Sequence, residues 1–261
     1  MSLRRIALAA AFFVGLAAPQ AIAQSVSELV KGGTIKIGVI SGAPPFGTVN
    51  EKGDTVGYDV DVANLLGKYL GVKVEIVPLT APARIPSLES RKADILVATL
   101  APTPERAKAV MFSMPYSAFQ MGVVAPKSTE IKDLKALGGK KVGVPRGGTQ
   151  DVALTRMNIP GITIVRFDDD ATATQAMISG QVDATATPNT IANELMKQRP
   201  EANLELKFVF TQQPNSIAVR KDAFELKQWI NNFLYYVKVS GELDEIHRKW
   251  IGSPLPELPV F

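Results

Sequence analysis

Cysteine is absent from the sequence and histidine occurs once, and these shortages exclude several kinds of site. Without cysteine the chain can form neither disulfide bonds nor thiolate sites, so its stability must come from an apolar core. The one histidine, His247, lies in a pattern typical of a solvated amphipathic helix, and no triad or metal-ligand spacing surrounds it. We therefore expect no hydrolytic triad, no metal site and no cofactor.

Long apolar runs are also scarce. The longest, residues 6–18, is shorter than the ~20 residues that a membrane-spanning helix needs. Arg4 and Arg5 precede it, and Ala21-Ile22-Ala23 follows as a small-x-small cleavage pattern. We therefore expect residues 1–23 to be a cleaved signal peptide and the remainder to be a soluble periplasmic protein. An uncleaved anchor is the alternative, and the lack of cysteine excludes a lipidated mature N-terminus.

An excess of charge of either sign is lacking too. The expected signal peptide holds two of the 29 basic residues and none of the 25 acidic ones, which leaves a net charge of +2. This charge is too small to indicate nucleic-acid binding, and no basic run with interleaved aromatic residues occurs. The remaining residues, about 238, suffice for one large domain or for two of about half that size.

An internal repeat favours two similar halves. The segment GGTIKIGV at 32–39 is answered by GGKKVGV at 138–144, and SRKADI at 90–95 is answered by SGQVDA at 179–184. In each half an apolar strand comes first, and a helix, an aspartate and a further strand come later. Strands that alternate with helical patterns predict βαβ units and parallel sheets. We expect Asp94 and Asp183 to occupy equivalent, structurally paired positions.

The two halves predict two lobes that face each other across a cleft. The first lobe is expected to comprise residues 26–122 and 217–261, and the second residues 123–216. Ligands of open α/β sheets bind outside the carboxyl ends of the strands, and two lobes can close around a small molecule there. Four predicted loops occupy this position: residues 40–46, 98–106, 145–150 and 186–189.

One of these loops ends in the motif Thr103-Pro104-Glu105-Arg106. Thr103 is expected to cap a helix through its side-chain oxygen, and Pro104 suits the first helical position. Arg106 then lies in the first turn, where its guanidinium and the unpaired backbone N–H groups favour the same carboxylate. The alternative is an ordinary capped helix with a surface arginine.

Several motifs together resemble the periplasmic amino-acid-binding proteins of ABC importers, over residues 33–251. The resemblance implies the two-lobed, type II periplasmic-binding-protein fold, an α/β fold in which each lobe is a mostly parallel sheet flanked by helices. A two-strand hinge joins the lobes. It also implies a monomer that captures a solute and delivers it to a membrane permease and an ATPase. The motifs are Pro44-Pro45-Phe46, Gly57-Tyr58-Asp59-Val60-Asp61, Thr103-Pro104-Glu105-Arg106, Phe112-Ser113 with Pro115-Tyr116, and Gly148-Thr149.

The resemblance also implies roles for individual residues. Arg106 matches the arginine that binds the ligand α-carboxylate. Gly148 and Thr149 match the second-lobe loop that meets the same carboxylate, and Thr149 is expected to cap the helix that follows. Tyr58 matches an aromatic residue of the pocket, with a core position as the alternative. Arg146 falls where the family often carries a ligand-facing polar side chain, and an exposed surface position is its alternative.

Arg84 resembles the arginine with which the acidic-amino-acid branch of the family reaches a ligand's side-chain carboxylate. The resemblance to that branch is partial, because Ala81 replaces a serine and Ile40 replaces another arginine. A polar or acidic amino acid is therefore the expected solute class.

Two departures from the family pattern concern positions that usually bind the ligand. Ala101 stands where a Thr or Ser hydroxyl usually contacts the ligand, and Pro188 stands where the family's aspartate accepts the α-ammonium. A buried ammonium without an acceptor is unfavourable. Thr99, Thr187 and Asn189 are the neutral acceptors that remain. We therefore expect a ligand that is acidic or lacks a free α-ammonium.

Two other functions remain open at this point. Periplasmic dehydratases share the fold, but they need a general acid or base in the cleft. The four loops contain no histidine, and Glu105 is the only carboxylate close to Arg106 before Asp151. Binding without catalysis is therefore expected. A solute-sensing module that acts with a membrane receptor is the third interpretation.

Overall fold

The structure is a computed structural model that describes residues 25–259. The predicted signal peptide, residues 1–23, lies outside the described residues. Between residues 25 and 259 no helix is both long and apolar enough to cross a membrane.

Helices and strands alternate along most of the described chain. The strands are β1 (Thr34–Ile40), β2 (Thr48–Val49), β3 (Thr55–Val56), β4 (Lys73–Leu79), β5 (Ile95–Leu96), β6 (Val110–Pro126), β7 (Lys141–Pro145), β8 (Thr163–Phe167), β9 (Ala184–Pro188) and β10 (Leu204–Arg220). The α-helices are α1 (Val26–Gly32), α2 (Tyr58–Leu70), α3 (Arg84–Glu89), α4 (Pro104–Ala107), α5 (Thr149–Met157), α6 (Asp170–Ile178), α7 (Asn189–Gln198), α8 (Phe224–Val239) and α9 (Glu242–Ile251). Short 3-10 helices occupy Lys135–Leu137 and Pro200–Ala202.

Eight strands form one sheet in the order β4-β1-β5-β10-β6-β9-β7-β8. β1 is parallel to β4 and β5, and β7 is parallel to β8 and β9. Between these two parallel groups, β6 and β10 pair antiparallel as two strands of 17 residues each. The arrangement confirms the predicted two-lobed α/β fold, in which two long strands connect the lobes.

The parallel groups each have their own apolar core. Ile35, Leu66 and Ile95 belong to the first, and buried residues of α8 and α9 join them. Val144 and Leu154 belong to the second. The C-terminal helices α8 and α9 therefore pack onto the core of the first parallel group.

The internal repeat is visible in matching hydrogen bonds. The backbone N–H of Lys36 donates to Asp94 Oδ2 at 2.9 Å, and that of Lys141 donates to Asp183 Oδ2 at 2.7 Å. Each aspartate also donates its own N–H to the carbonyl of the same lysine, at 2.8 Å in both lobes. The predicted equivalence of the two aspartates is confirmed.

The crossing between the lobes lies within the long strands. β6 pairs with β9 of the second group from residue 121 to 124, whereas β10 pairs with β5 of the first group at Ala218 and Val219. The boundaries at residues 122/123 and 216/217 stay a prediction, and both lie on or beside these pairings.

His247 differs from the sequence expectation. It lies on α9, but only 4% of its surface is exposed, and its Nδ1 lies 2.7 Å from the carbonyl oxygen of Ser253. Its ring packs edge-on against Tyr58, with centroids 5.7 Å apart. The helix is amphipathic as predicted, but the C-terminal segment folds back and places His247 on the buried face.

Candidate functional site

Arg106 extends from the predicted capped helix towards the second lobe. Thr103 Oγ1 accepts a hydrogen bond from the Arg106 N–H at 3.3 Å, and Pro104 is the first helical residue, as predicted. Across the cleft, the Arg106 guanidinium donates to the Gly147 carbonyl at 2.9 Å and to Thr149 Oγ1 at 3.3 Å. Partial burial lowers the pKa of Arg106 to about 10, so it remains a cation at neutral pH.

Arg84 lies beside Arg106 and is only 4% exposed. Burial, and secondly the charge of Arg106, lower the pKa of Arg84 to about 9. Neither guanidinium forms a salt bridge with any residue between 25 and 259. The cleft therefore holds two cations whose protein partners are neutral oxygens. The acceptors of Arg84 are the carbonyls of Ala81 at 2.9 Å, Ala98 at 3.1 Å, Thr99 at 3.3 Å and, in the second lobe, Gly147 at 3.5 Å.

The loop that follows β5 is held in one conformation by its surroundings. Thr99 has a left-handed backbone with φ of 44°, which is unfavourable for a β-branched residue. Its N–H donates to Tyr116 Oη at 3.1 Å, and its carbonyl accepts from Gln213 Nε2 at 3.2 Å. Ala101 is buried, and its carbonyl accepts from Arg106 at 3.1 Å. These bonds fix the backbone around both arginines.

The second-lobe loop meets Arg106 at the start of α5. Gly148 is the N-cap residue and Thr149 is the first helical residue, so the prediction that Thr149 caps this helix is wrong. Its hydroxyl accepts from Arg106 instead. Gly147 adopts φ of 67°, and its N–H donates to Asp151 Oδ2 at 2.9 Å. The first N–H groups of a helix have no intrahelical acceptor, so the start of α5 adds an anion-binding element beside Arg106.

Asp170 is a candidate site residue that the sequence analysis missed. It is the first residue of α6 and is 8% exposed. Its Oδ1 accepts from Thr187 Oγ1 at 2.9 Å and from Gln150 Nε2 at 3.1 Å. Burial raises the pKa of Asp170 to about 7, although the bond from Thr187 and the positive charge of Arg84 oppose this rise. A carboxyl group therefore shares the cleft with the two arginines.

A sequence signal for Asp170 did exist. The run of Asp168, Asp169 and Asp170 directly follows β8, which is parallel to β7. The carboxyl ends of parallel strands lie at the same edge of a sheet, so this loop lies at the same edge as the four predicted ligand-binding loops.

Three predicted ligand-binding residues form no side-chain hydrogen bond to this group within the described chain. Tyr58 is fully buried in the first-lobe core and donates its hydroxyl to the Tyr116 carbonyl at 3.0 Å. Arg146 is exposed. The side chain of Asn189 faces the connecting strands, where its Oδ1 accepts from the Gln120 N–H at 3.1 Å. The structure brings together Arg84, Thr99, Ala101, Arg106, Gly148, Thr149 and Thr187. Ligand contact by these residues, and by Tyr58, Arg146 and Asn189, stays a prediction.

The two lobes also touch at a second place beside the cleft. The N–H of Ala171, in α6, donates to the carbonyl of Gly42, in the first lobe, at 3.1 Å. A methyl group on Gly42 would overlap the carboxylate of Asp169. This contact and the hydrogen bonds from Arg106 to the second lobe join the two lobes, so the cleft is closed in this structure.

Two lobes that are connected by two strands and closed over a pair of arginines are the architecture of a solute-binding protein. Residues 35–253 match the model of the bacterial extracellular solute-binding proteins, family 3, and the chain belongs to this family. The predicted family is thereby confirmed.

Relatives within this family carry different ligands in their names. The L-cystine-binding protein TcyJ of Escherichia coli strain K12 is 29% identical over 255 residues, which cover 97% of this chain and 94% of that protein. The ABC transporter glutamine-binding protein GlnH of Bacillus subtilis strain 168 is 35% identical over 222 residues, covering 83% and 81%. The solved structure of an ancestral amino-acid-binding protein, described as a precursor of cyclohexadienyl dehydratase, matches with a TM-score of 0.80 and 35% identity. That match covers 87% of this chain and 99% of the other.

Proposed function

We propose that the protein captures a polar or acidic amino acid in its cleft and delivers it, as a monomer in the periplasm, to the permease and ATPase of an ABC importer. The observation that carries this proposal is the pair Arg84 and Arg106, two largely buried cations that have only neutral partners in the described chain. Charges in such surroundings are strongly stabilised by an anion. A ligand carboxylate supplies that anion.

The two arginines serve different ends of the ligand in this proposal. Arg106 and the start of α5 bind the α-carboxylate, because a planar guanidinium and helix N–H groups favour the same anion. Arg84 lies deeper and favours an acidic or polar side chain. When the ligand contacts both lobes, it favours the closed conformation by its differential affinity for that state.

The comparisons support an amino acid without indicating which one. The relatives named above bind cystine and glutamine, and both of these are amino acids with a free α-carboxylate and α-ammonium. Their different ligands show that the family alone does not specify the solute. The charges of the cleft are therefore the better guide to the class.

A ligand screen by thermal shift and calorimetry tests the proposal. The panel contains L-aspartate, L-glutamate, L-glutamine, L-cystine, L-arginine and L-lysine, together with dicarboxylates and simple carboxylates. We expect acidic or neutral polar members to stabilise the protein most. A clear preference for L-arginine or L-lysine would contradict the role of the paired arginines. Mass spectrometry of solute retained through purification checks the result independently.

A dehydratase activity is the second candidate, and Asp170 is the observation that favours it. A carboxyl group with a pKa of about 7 is suited to general acid catalysis, and one structural neighbour is a dehydratase precursor. Asp169, Asp151 and Glu105 are engaged by Thr172, Arg166 and Lys108, and Asp59 is fully buried in the first-lobe core. We expect no turnover of arogenate or prephenate by the purified protein. Measurable turnover of either compound would show that the protein is a dehydratase and would contradict the proposed binding function.

A further inference from the structure

The Asp170 carboxyl group is buried with half of its hydrogen-bonding capacity unused. Thr187 and Gln150 both donate to Oδ1, whereas Oδ2 has no hydrogen-bond partner within residues 25–259. A buried carboxylate ordinarily accepts several hydrogen bonds or pairs with a cation. Oδ2 is therefore an open acceptor in a largely buried position.

No cation between residues 25 and 259 forms a hydrogen bond or salt bridge with that acceptor. Arg84 is near enough to lower the pKa of Asp170, but the two side chains form no salt bridge. The guanidinium instead donates to the carbonyl groups of Ala81, Ala98 and Thr99 in the first lobe and of Gly147 in the second. Asp170 thus contributes a negative charge to the cleft without neutralising the arginines.

The other carboxyl groups of this region are either engaged by protein groups or fully buried. Asp169 caps α6 and accepts from the Thr172 N–H at 2.8 Å. Asp151 accepts from Arg166 Nε at 2.9 Å. Glu105 is exposed and pairs with Lys108 at 2.7 Å. Asp59 Oδ2 also lacks a hydrogen-bond partner, but Asp59 is 0% exposed, and its Oδ1 accepts from Tyr116 Oη at 2.8 Å within the first-lobe core. Of these carboxyl groups, Asp170 therefore combines an open acceptor with a side chain that is still partly accessible, at 8% exposed.

We propose that Asp170 Oδ2 accepts the α-ammonium of the bound amino acid. Its hydrogen-bond donor Thr187 directly precedes Pro188, which stands where the family has its ammonium-binding aspartate. Asp170 therefore supplies a carboxylate beside the position from which the usual one is missing. Thr187 and Gln150 fix the orientation of the group by occupying Oδ1. The assignment rests on the proposed function, and it replaces the expectation that the ligand lacks a free α-ammonium.

The proposal makes Asp170 a specificity-determining residue. In an amino acid, the carboxylate pairs with the arginines of the first lobe and the α-ammonium pairs with Asp170 of the second lobe. A dicarboxylate without an amine leaves Asp170 unpaired. Discrimination then arises because the analogue leaves a buried charge without a partner.

The test compares the wild-type protein with Asp170→Asn. Asparagine keeps a carbonyl oxygen for Thr187 and Gln150 but loses the negative charge. Calorimetry measures the affinity for L-glutamate and glutarate, and for L-aspartate and succinate, each pair differing only in the α-amino group. Asp168→Asn is the matched control, because it removes the charge of an exposed aspartate two residues away. Circular dichroism establishes that both variants fold.

The proposal predicts that the wild-type protein prefers the amino acid of at least one pair. Asp170→Asn should lose about 100-fold in affinity for that amino acid, since removing one partner of a buried charge pair is strongly unfavourable. It should bind the matching dicarboxylate as well as the wild-type protein or better, and Asp168→Asn should retain the preference.

Three other outcomes separate this inference from the proposed function. If Asp170→Asn folds and keeps the wild-type preference, Asp170 is not the ammonium acceptor, while amino-acid binding stands. If the wild-type protein binds only the dicarboxylates, the assignment of Asp170 is wrong and the ligand lacks an α-ammonium. If the wild-type protein binds neither member of either pair, the acidic-ligand form of the proposed function fails, and the assignment fails with it.

Discussion

The two lobes share a scaffold but contribute opposite charges to the cleft. Asp94 and Asp183 make the same pair of backbone hydrogen bonds in the two lobes. The loops that follow the strands differ, because the first lobe contributes Arg84 and Arg106 whereas the second contributes Asp170. The repeat thus fixes where the loops lie, and the residues on those loops decide what the cleft binds.

This division of charge suits a zwitterionic ligand. A carboxylate is attracted to the first lobe and an ammonium to the second, so such a ligand bridges the lobes when they close. An uncharged ligand would gain little from either side. Changes that alter one lobe at a time therefore test whether both charges are needed.

The largest expected effect comes from removing a cation of the first lobe. Arg106→Ala should weaken binding of the preferred amino acid by about 4 kcal/mol, or about 1000-fold, because the carboxylate loses its bidentate partner. Calorimetry at neutral pH measures the loss. Arg156→Ala is the control, since it removes an exposed arginine in the last turn of α5 that is not a predicted ligand-binding residue. Equal losses in the two variants would show that overall charge, rather than the first-lobe site, attracts the ligand.

The second effect concerns the stability of the ligand-free protein. The pKa of Asp170 is about 7 in the folded state, against 3.8 for the free side chain. The folded state therefore binds more protons between pH 4 and pH 7, and its stability falls as the pH rises through this range. Above pH 7 the full cost of the buried charge is present.

Asp170→Asn removes that cost. We expect the free energy of unfolding of the ligand-free variant to exceed that of the wild-type protein at pH 8 by about 2–3 kcal/mol. This is less than the ~4 kcal/mol that three pKa units represent, because a buried amide has a cost of its own. Denaturant titrations at pH 4, 6 and 8 should show the difference shrinking towards pH 4. A difference independent of pH would mean that the Asp170 carboxyl is not responsible.

The third effect is a pH dependence of binding. Arg84 and Arg106 stay cationic between pH 6 and pH 8, since their pKa values are about 9 and 10. Asp170 faces Arg84, the adjacent Asp169 and the neutral Thr187 and Gln150, and it is the group that changes charge in this range. Because the ionised form pairs with ammonium, affinity for the preferred amino acid should be about tenfold weaker at pH 6 than at pH 8.

The analogue without an amine provides the comparison. Its affinity should not fall between pH 8 and pH 6, because protonation of Asp170 removes a negative charge near its carboxylates. Asp170→Asn should bind both ligands without this pH dependence. An equal fall for the amino acid and its analogue would assign the titration to another group.

Local features were the part of the site that could be predicted from the sequence. Thr103, Pro104 and Arg106 are within one helical turn, so cap chemistry alone specified their arrangement. The repeated Asp94 and Asp183 were likewise visible as a pattern. The first feature depends on residues that are neighbours in sequence, and the second depends on the internal sequence repeat.

Features that depend on packing between distant segments were missed. The burial of Asp170 requires Gln150 from α5 and Thr187 from β9, neither of which is near it in sequence. Thr149 does not cap α5, since its hydroxyl meets Arg106 from the other lobe. His247 is buried because the chain returns at Ser253. Helical periodicity specifies a face, but tertiary contacts decide what covers it.

The smallest expected effect tests the closed cleft without altering either charged group. Gly42 has no side chain, and a methyl group there would overlap Asp169 when the lobes close. Gly42→Ala should therefore weaken binding of every ligand by about three- to tenfold, because it destabilises the closed state in which all of them are held. The order of preference among ligands should not change. Gly32→Ala is the control, because a methyl group there meets no atom within 4 Å. Small-angle scattering with saturating ligand should show a larger average radius for Gly42→Ala alone, and an altered preference instead would place Gly42 in the ligand site.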